Sequence, residues 1–298
     1  MRPSDVALAG AVVLLWGLAF VATRLGLDGF SPPQLTVLRF VVAGLPAVWL
    51  LPPPVPWTAL IPTGLTLFAG QFLFQFFGIA HGMPPGLASV IVQSQALFTI
   101  VFAALALGER PTRRQGIGMA VALGGLAAIA TTVGTNLTLG GLLLTLVSPI
   151  SFGIGNVLLK RLPPVDMLRL TVWLSLVPPL PALALSILMD GPTGFLTALT
   201  HASWTALLAA LYLGLVATTL GYALWGRLLR RYSAALVTPF ALLVPFVAAW
   251  SSSVAFGERF GPRRLLGMAL VLLGLAVIVL PLDRLVRRGT TAEALSRR

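Results

Sequence analysis

The chain has 298 residues, of which 57% are hydrophobic and only 9% charged, with a formal net charge of +12 and a mean hydropathy of +0.96. Soluble domains carry about a quarter charged residues, so no soluble domain fits. The absence of cysteine excludes disulfides, thiol catalysis and cysteine metal sites.

Runs apolar enough to cross a bilayer, which takes about 20 residues as helix, predict ten spans. Span one, 6–26, follows Arg2, but it is too long for a secretory signal and has no small-residue cleavage site. Trp16, Phe20 and Thr23 share one of its faces, and Arg24 follows near its outer end. Span two, 33–51, holds Arg39, the deepest cation of the chain. On span three, 58–80, Gln71 and Gln75 are four apart and share a face with Phe68 and Gly78. On span four, 85–107, Gln93 and Gln95 are two apart and point about 200° apart, so one of them bonds a neighbouring helix if the other faces a cavity. Spans five and six cover 114–133 and 140–160, with Asn156 near the inner end of six. Span seven, 167–189, carries Trp173, and span eight, 204–226, carries Tyr222 and Trp225; spans nine and ten cover 233–256 and 264–281. His81 falls at the outer turn between spans three and four and His201 in a loop, where both are expected to be solvated rather than catalytic. Unbroken apolar runs read as helices rather than as alternating barrel strands, which makes this an all-α integral membrane protein.

With the N-terminus inside, most of the twenty cations fall in inner connections, among them Arg110, Arg113, Arg114, Lys160, Arg227 and Arg231. Both termini are then cytoplasmic, and a basic tail, 283–298, sits against anionic lipid. Charge with this use does not point to nucleic acid as a partner. Arg259, Arg263 and Arg264 break the pattern by lying outside.

A repeat explains the exception. At an offset of 149 without a gap, residues 108–129 and 257–278 agree at twelve of twenty-two positions, including Gly108-Glu109-Arg110 and Gly257-Glu258-Arg259. Two five-span repeats follow, 1–134 and 135–282, and an odd number of spans inverts the second relative to the first. Inverted repeats are the architecture of secondary transporters, which rock around a site near the midplane.

The stretches LLWGLAFVATRLGL (14–27), PQLTVLRF (33–40), MPPGLASVIVQSQALFTI (83–100) and GYALWGRLLRRYSAALVTPFALLVPF (221–246), with both Gly-Glu-Arg loops, resemble EamA-type members of the drug/metabolite transporter superfamily. Within it the sequence is most similar to bacterial exporters of amino acids and their derivatives, of the YddG and cysteine/O-acetylserine type. The resemblance implies a ten-helix, basket-like fold in the bacterial inner membrane that moves amino acids out of the cytoplasm. Span six departs most from the family pattern.

Polar and aromatic side chains inside spans supply the substrate-site candidates: Trp16, Phe20, Arg39, Gln71, Gln75, Gln93, Gln95, Asn156, Trp173, Tyr222 and Trp225. Each has a structural alternative: interhelical bonding for the glutamines, core packing or an interface belt for the aromatics, and snorkelling for the arginine. Every Asp and Glu falls at a span end or in a loop. Proton-driven transporters use buried relays, so facilitated export is expected, with no cofactor and no metal. Pro149, Pro239 and Pro245 are hinge candidates because a helix-interior proline removes a backbone bond. No paired carboxylates, His-rich metal site or Ser with a base lies at depth, which argues against an intramembrane enzyme. Export of another small metabolite or drug is the nearest rival, and the reading requires no second copy of the chain.

Overall fold

The computed structural model describes residues 1–134 and 136–280; the basic tail read over 283–298 lies outside the described residues. Among them the chain is helical throughout. In order come α1 (Pro3–Gly26), α2 (Pro32–Gly44, prolonged by a 3-10 turn to Val48), α3 (Trp57–Ala80), α4 (Pro85–Leu107), α5 (Arg113–Ala130) and α6 (Leu139–Lys160). Then follow α7 (Met167–Asp190), a short α8 (Gly194–His201), α9 (Trp204–Arg231), α10 (Ala234–Phe256) and α11 (Pro262–Val279). Eight of these are long and apolar enough to cross a membrane. The other long elements are α2, a shorter apolar helix, and α5, an 18-residue helix opening on Arg113 and Arg114. Helix α8 corrects the sequence reading of this stretch as a loop: His201 closes a helix, its Nδ1 lying 2.9 Å from the Thr197 carbonyl oxygen.

The helix ends explain part of the duplicated motif. Gly108 and Gly257 terminate α4 and α10 with φ of 69° and 66°, a left-handed conformation that costs glycine nothing. Thr112 opens α5 with a capping box, accepting from the Gln115 amide while its own amide donates to Gln115 Oε1.

Two further features recur along the chain. Helix α4 is interrupted between Pro85–Val92 and Gln95–Leu107, and α10 between Ala234–Ala241 and Val244–Phe256, every bound displaced by 149 residues. At each break the backbone tightens to i→i−3 bonds, Ser94 N to Ile91 O at 2.9 Å and Leu243 N to Phe240 O at 3.0 Å. Proline does not make the break, because the copy in α4 has none there. Pro245 sits in the first turn after the α10 break, where its missing N–H has no intrahelical partner to lose. Pro149 leaves α6 continuous. In addition, α3 and α9 each widen into a π-helical stretch after eight residues, at Leu65–Gly70 and Tyr212–Leu220.

Packing follows the small residues. Helices α5 and α11 run antiparallel in backbone contact: a Cβ on Gly118 falls 2.6 Å from the Gly274 carbonyl oxygen, and one on Gly125 falls 2.6 Å from that of Gly267. The offset of 149 turns one contact into the other. One apolar core surrounds the first part of α4 with residues of α1, α5, α10 and α11. A second joins α2, α3, α7 and α9.

Helices α2 and α7 are tied at one end by Asp190. Its Oδ2 accepts from Ser31 Oγ at 2.7 Å, Gln34 Nε2 at 3.0 Å and Ser186 Oγ at 2.8 Å. Asp190→Ala strands three donors, and we expect it to lower stability by about 2 kcal/mol, read as a fall in the thermal unfolding temperature of the purified protein. An unchanged unfolding temperature would show that water replaces the carboxylate fully.

Candidate functional site

Arg39 lies on α2 and is only 3% exposed. Its guanidinium sits over the face of Phe72, 3.8 Å from the ring centroid, with Phe40 at 5.7 Å and Phe76 at 5.9 Å. Such stacking is favourable and strengthens as water is excluded. Nε donates to Thr218 Oγ1 at 3.0 Å. No Asp or Glu among the described residues forms an ion pair with it.

The local backbone is arranged around this cation. Thr218 lies in the π-helical stretch of α9 and donates to Leu213 O, five residues back, at 2.8 Å. The wider turn therefore fixes the hydroxyl that holds Nε; such bulges recur at functional sites. Gly214 lets α9 approach α2, since a Cβ there falls 2.7 Å from the Arg39 carbonyl oxygen.

From Arg39 a run of rings leads across the molecule. Phe40 packs on Phe68 (5.2 Å between centroids), Phe68 on Tyr222 (5.7 Å), Tyr222 on Trp16 (5.4 Å) and Trp16 on Trp225 (5.2 Å). Trp16 Nε1 donates to the Ala217 carbonyl at 3.0 Å, inside the same π-helical stretch. Gly221 makes room for that indole. Trp16, Tyr222 and Trp225 are half-buried. On α3, Gln71 and Gln75 are buried beside the phenylalanine stripe, and Gln71 Oε1 has no hydrogen-bond partner.

The other candidates lie elsewhere. Gln93 Nε2 donates to the Ala241 carbonyl at 2.6 Å, so it joins the break in α4 to the break in α10. Gln95, two residues on, keeps a buried Oε1 without a partner, which fits the opposed directions expected of the two. Asn156 Nδ2 donates to Thr99 Oγ1 at 2.9 Å and links α6 to α4. Trp173 donates to the Leu50 carbonyl at 3.1 Å and packs edge-on against Trp57, at one end of the bundle. Phe20 is buried in the core around the first part of α4. Arg24 pairs with Asp28 one turn along.

Phe72, Phe76 and Thr218 escaped the sequence reading. The phenylalanines recur every four residues from Phe68, a legible stripe, but nothing in the sequence marks Thr218 as a partner for a cation 179 positions away.

The model of the EamA-like transporter family matches the chain twice, over residues 4–131 and 139–280. The chain belongs to this family. This EamA-like protein is 39% identical over 286 residues to a probable amino-acid metabolite efflux pump of Salmonella typhimurium, covering 94% of this chain and 96% of the relative. It is 31% identical to a probable terminal-alkyne amino-acid exporter of Streptantibioticus cattleyicolor, over 89% and 90% of the two chains. A solved crystal structure shares the fold, with a TM-score of 0.62 at 20% identity over 96% of this chain and 99% of that one. The EamA-like chain is thus a transporter and a multi-pass protein of the bacterial inner membrane.

Proposed function

We propose that the protein exports amino acids or their derivatives by alternating access of two inverted five-helix repeats, residues 1–134 and 135–282, with both termini in the cytoplasm. Ten crossings are counted by adding α2 and α5 to the eight long apolar helices. Support comes from the breaks and glycine contacts that recur at an offset of 149 and from the double family match. The polar ties agree as well: Asp5 with Tyr232, Asp166 with Arg230 and Glu109 with Lys160 join inner ends, while Ser31 with Asp190 joins outer ends.

The observation that carries the substrate reading is Arg39: a buried guanidinium in mid-span with no carboxylate partner among the described residues. Charges there are paired or functional, and the planar fork of arginine matches a carboxylate bidentately. The α-carboxylate of an amino acid takes Arg39, its ammonium group can donate to the unpartnered Gln71 Oε1, and the rings of Phe68, Tyr222 and Trp16 line the path of an amphipathic molecule. Transport is facilitative, because no Asp, Glu or His among the described residues lies in mid-span.

The test is counterflow of a labelled neutral amino acid by the purified protein in liposomes, against a panel of unlabelled amino acids. Saturable exchange without accumulation driven by a proton gradient is expected. Gradient-driven accumulation would refute the facilitative mode, and no exchange with any amino acid would move the assignment to another small metabolite or drug.

A further inference from the structure

The repeats match in sequence at their Gly-Glu-Arg loops but differ in what the two glutamates hold. Glu258 Oε2 accepts the Gly86 N–H at 3.2 Å, while its Oε1 is buried without a partner. Gly86 is the second residue of α4, so this amide has no intrahelical acceptor, and a carboxylate there also meets the positive end of the helix. Glycine leaves room for the contact: a Cβ at position 86 would fall 2.8 Å from Glu258 Oε2, 2.9 Å from the Phe260 ring and 3.0 Å from the Ala249 α-carbon. Glu109, the counterpart of Glu258, instead pairs with Lys160 Nζ at 2.9 Å in an exposed position.

The helices that the two glutamates could hold differ in the same sense. Residues 85–92 of α4 are buried without exception, whereas in the counterpart 234–241 of α10 only Val237 is. Ala235 stands where Gly86 stands in α4, and Ser233 before it makes no capping bond. Ser89 is buried, and its counterpart Thr238 is partly exposed. The start of α4 is thus covered by its neighbours, while the start of α10 is left largely uncovered.

We infer that the two glutamates are alternating latches: Glu258 holds the start of α4 in the state seen here, and in the opposite state Glu109 leaves Lys160 and takes the amide of Ala235. In an inverted repeat the second state is reached by exchanging the roles of the halves, and the offset of 149 converts the pair Glu258 and Gly86 into Glu109 and Ala235. The inference rests on the alternating-access reading above. It makes this structure the inward-open state, closed outside by Glu258.

The outer latch responds to acid. Burial pushes the Glu258 carboxyl up to about 7, against the pull of the Gly86 amide and Arg264. Arg264 on α11 is itself held by Thr132 and Asn136. Arg259 and Arg263 are exposed on the same turn, α10 offers Ala249, and the turn before α4 holds His81, which faces Phe77 O. Once released into water the carboxyl returns toward its ordinary 4.5. The closed state therefore binds the proton more tightly: closure is strongest in acid and weakens as pH rises toward and through about 7.

Because the chain has no cysteine, single reporters are clean. Ser89→Cys and Thr238→Cys are labelled with a thiol reagent in nanodiscs, each in the wild-type, Glu258→Ala and Glu109→Ala backgrounds. Glu258→Ala is expected to raise labelling at position 89 several-fold and lower it at 238, and Glu109→Ala to do the reverse. Glu258→Gln, which keeps an acceptor but cannot ionise, supplies the pH control; relative to it, labelling at 89 rises several-fold between about pH 6 and about pH 8. Unmoved rates, or both sites rising together in Glu258→Ala, overturn the latch. Counterflow by the same proteins separates the two readings. Absent exchange in the wild type refutes amino-acid transport, whereas intact exchange with unmoved labelling refutes the latch alone.

Discussion

Arg39→Met is expected to lower amino-acid exchange about a hundredfold or more while the protein stays folded. Removing one partner of a buried ion pair costs about 3–5 kcal/mol, and each 1.4 kcal/mol is about tenfold in an equilibrium constant. In the empty transporter, by contrast, the guanidinium has no anionic partner among the described residues, so its replacement by an apolar side chain of similar length removes a desolvation cost and leaves Phe72 covered. The unfolding temperature should hold or rise. Arg39→Lys keeps the charge but loses the planar fork that stacks on Phe72 and reaches Thr218 together, so partial loss is expected. The discriminating measurement uses substrate chemistry: the wild type should prefer an amino acid over the amine lacking its carboxylate, and Arg39→Met should erase that preference. If Arg39→Met exchanges amino acids at the wild-type KM, Arg39 is a structural cation and the substrate sits elsewhere.

The helices were legible because a bilayer imposes them: every stretch read as a span contains a helix, and eight of these are long and apolar enough to cross a membrane. The duplication was legible because its glycines serve either helix ends, at Gly108 and Gly257, or the backbone contact of α5 with α11, at Gly118, Gly125, Gly267 and Gly274, and both places favour glycine. The breaks in α4 and α10 were not, since the break in α4 is made by ordinary residues turning to i→i−3 bonding, with Gln93 bridging to Ala241. Hydropathy cannot see such a break, because both sides of it are equally apolar. Among the candidates, Trp16, Tyr222 and Trp225 were chosen from the sequence, and their rings pack together. Trp173 and Asn156 were candidates because they are aromatic or polar side chains inside spans, but their partners, Leu50 and Thr99, are fixed by tertiary packing alone. Depth along a span is written in the sequence; rotation about the helix axis is written only where several residues share a face, as the phenylalanines of α3 do.

Gly274→Leu, or Gly125→Leu, should cost more than about 3 kcal/mol and abolish recovery of folded protein. In lipid the association of helices draws on close backbone packing at small residues, and at these positions the added Cβ meets main-chain atoms: the Gly118 carbonyl for Gly274, and the Gly267 carbonyl at 2.6 Å for Gly125. A flexible side chain could move aside, but a helix backbone moves only with the whole helix. Alanine is the sharper probe. Gly118→Ala and Gly267→Ala occupy equivalent places in the two repeats and should lower the unfolding temperature by similar amounts. Gly118→Ala combined with Gly274→Ala should cost less than the sum, since the first Cβ already forces the helices apart. Gly124→Ala, one residue away and with open space around its α-carbon, should be neutral or stabilising, because alanine favours helix over glycine by about 1 kcal/mol. If Gly274→Ala behaves like Gly124→Ala, α5 and α11 are not locked. If the predicted order holds, α5 and α11 are locked together by backbone contact, and the alternating-access motion proposed above is sought first in the helices broken at Gln93 and Leu242.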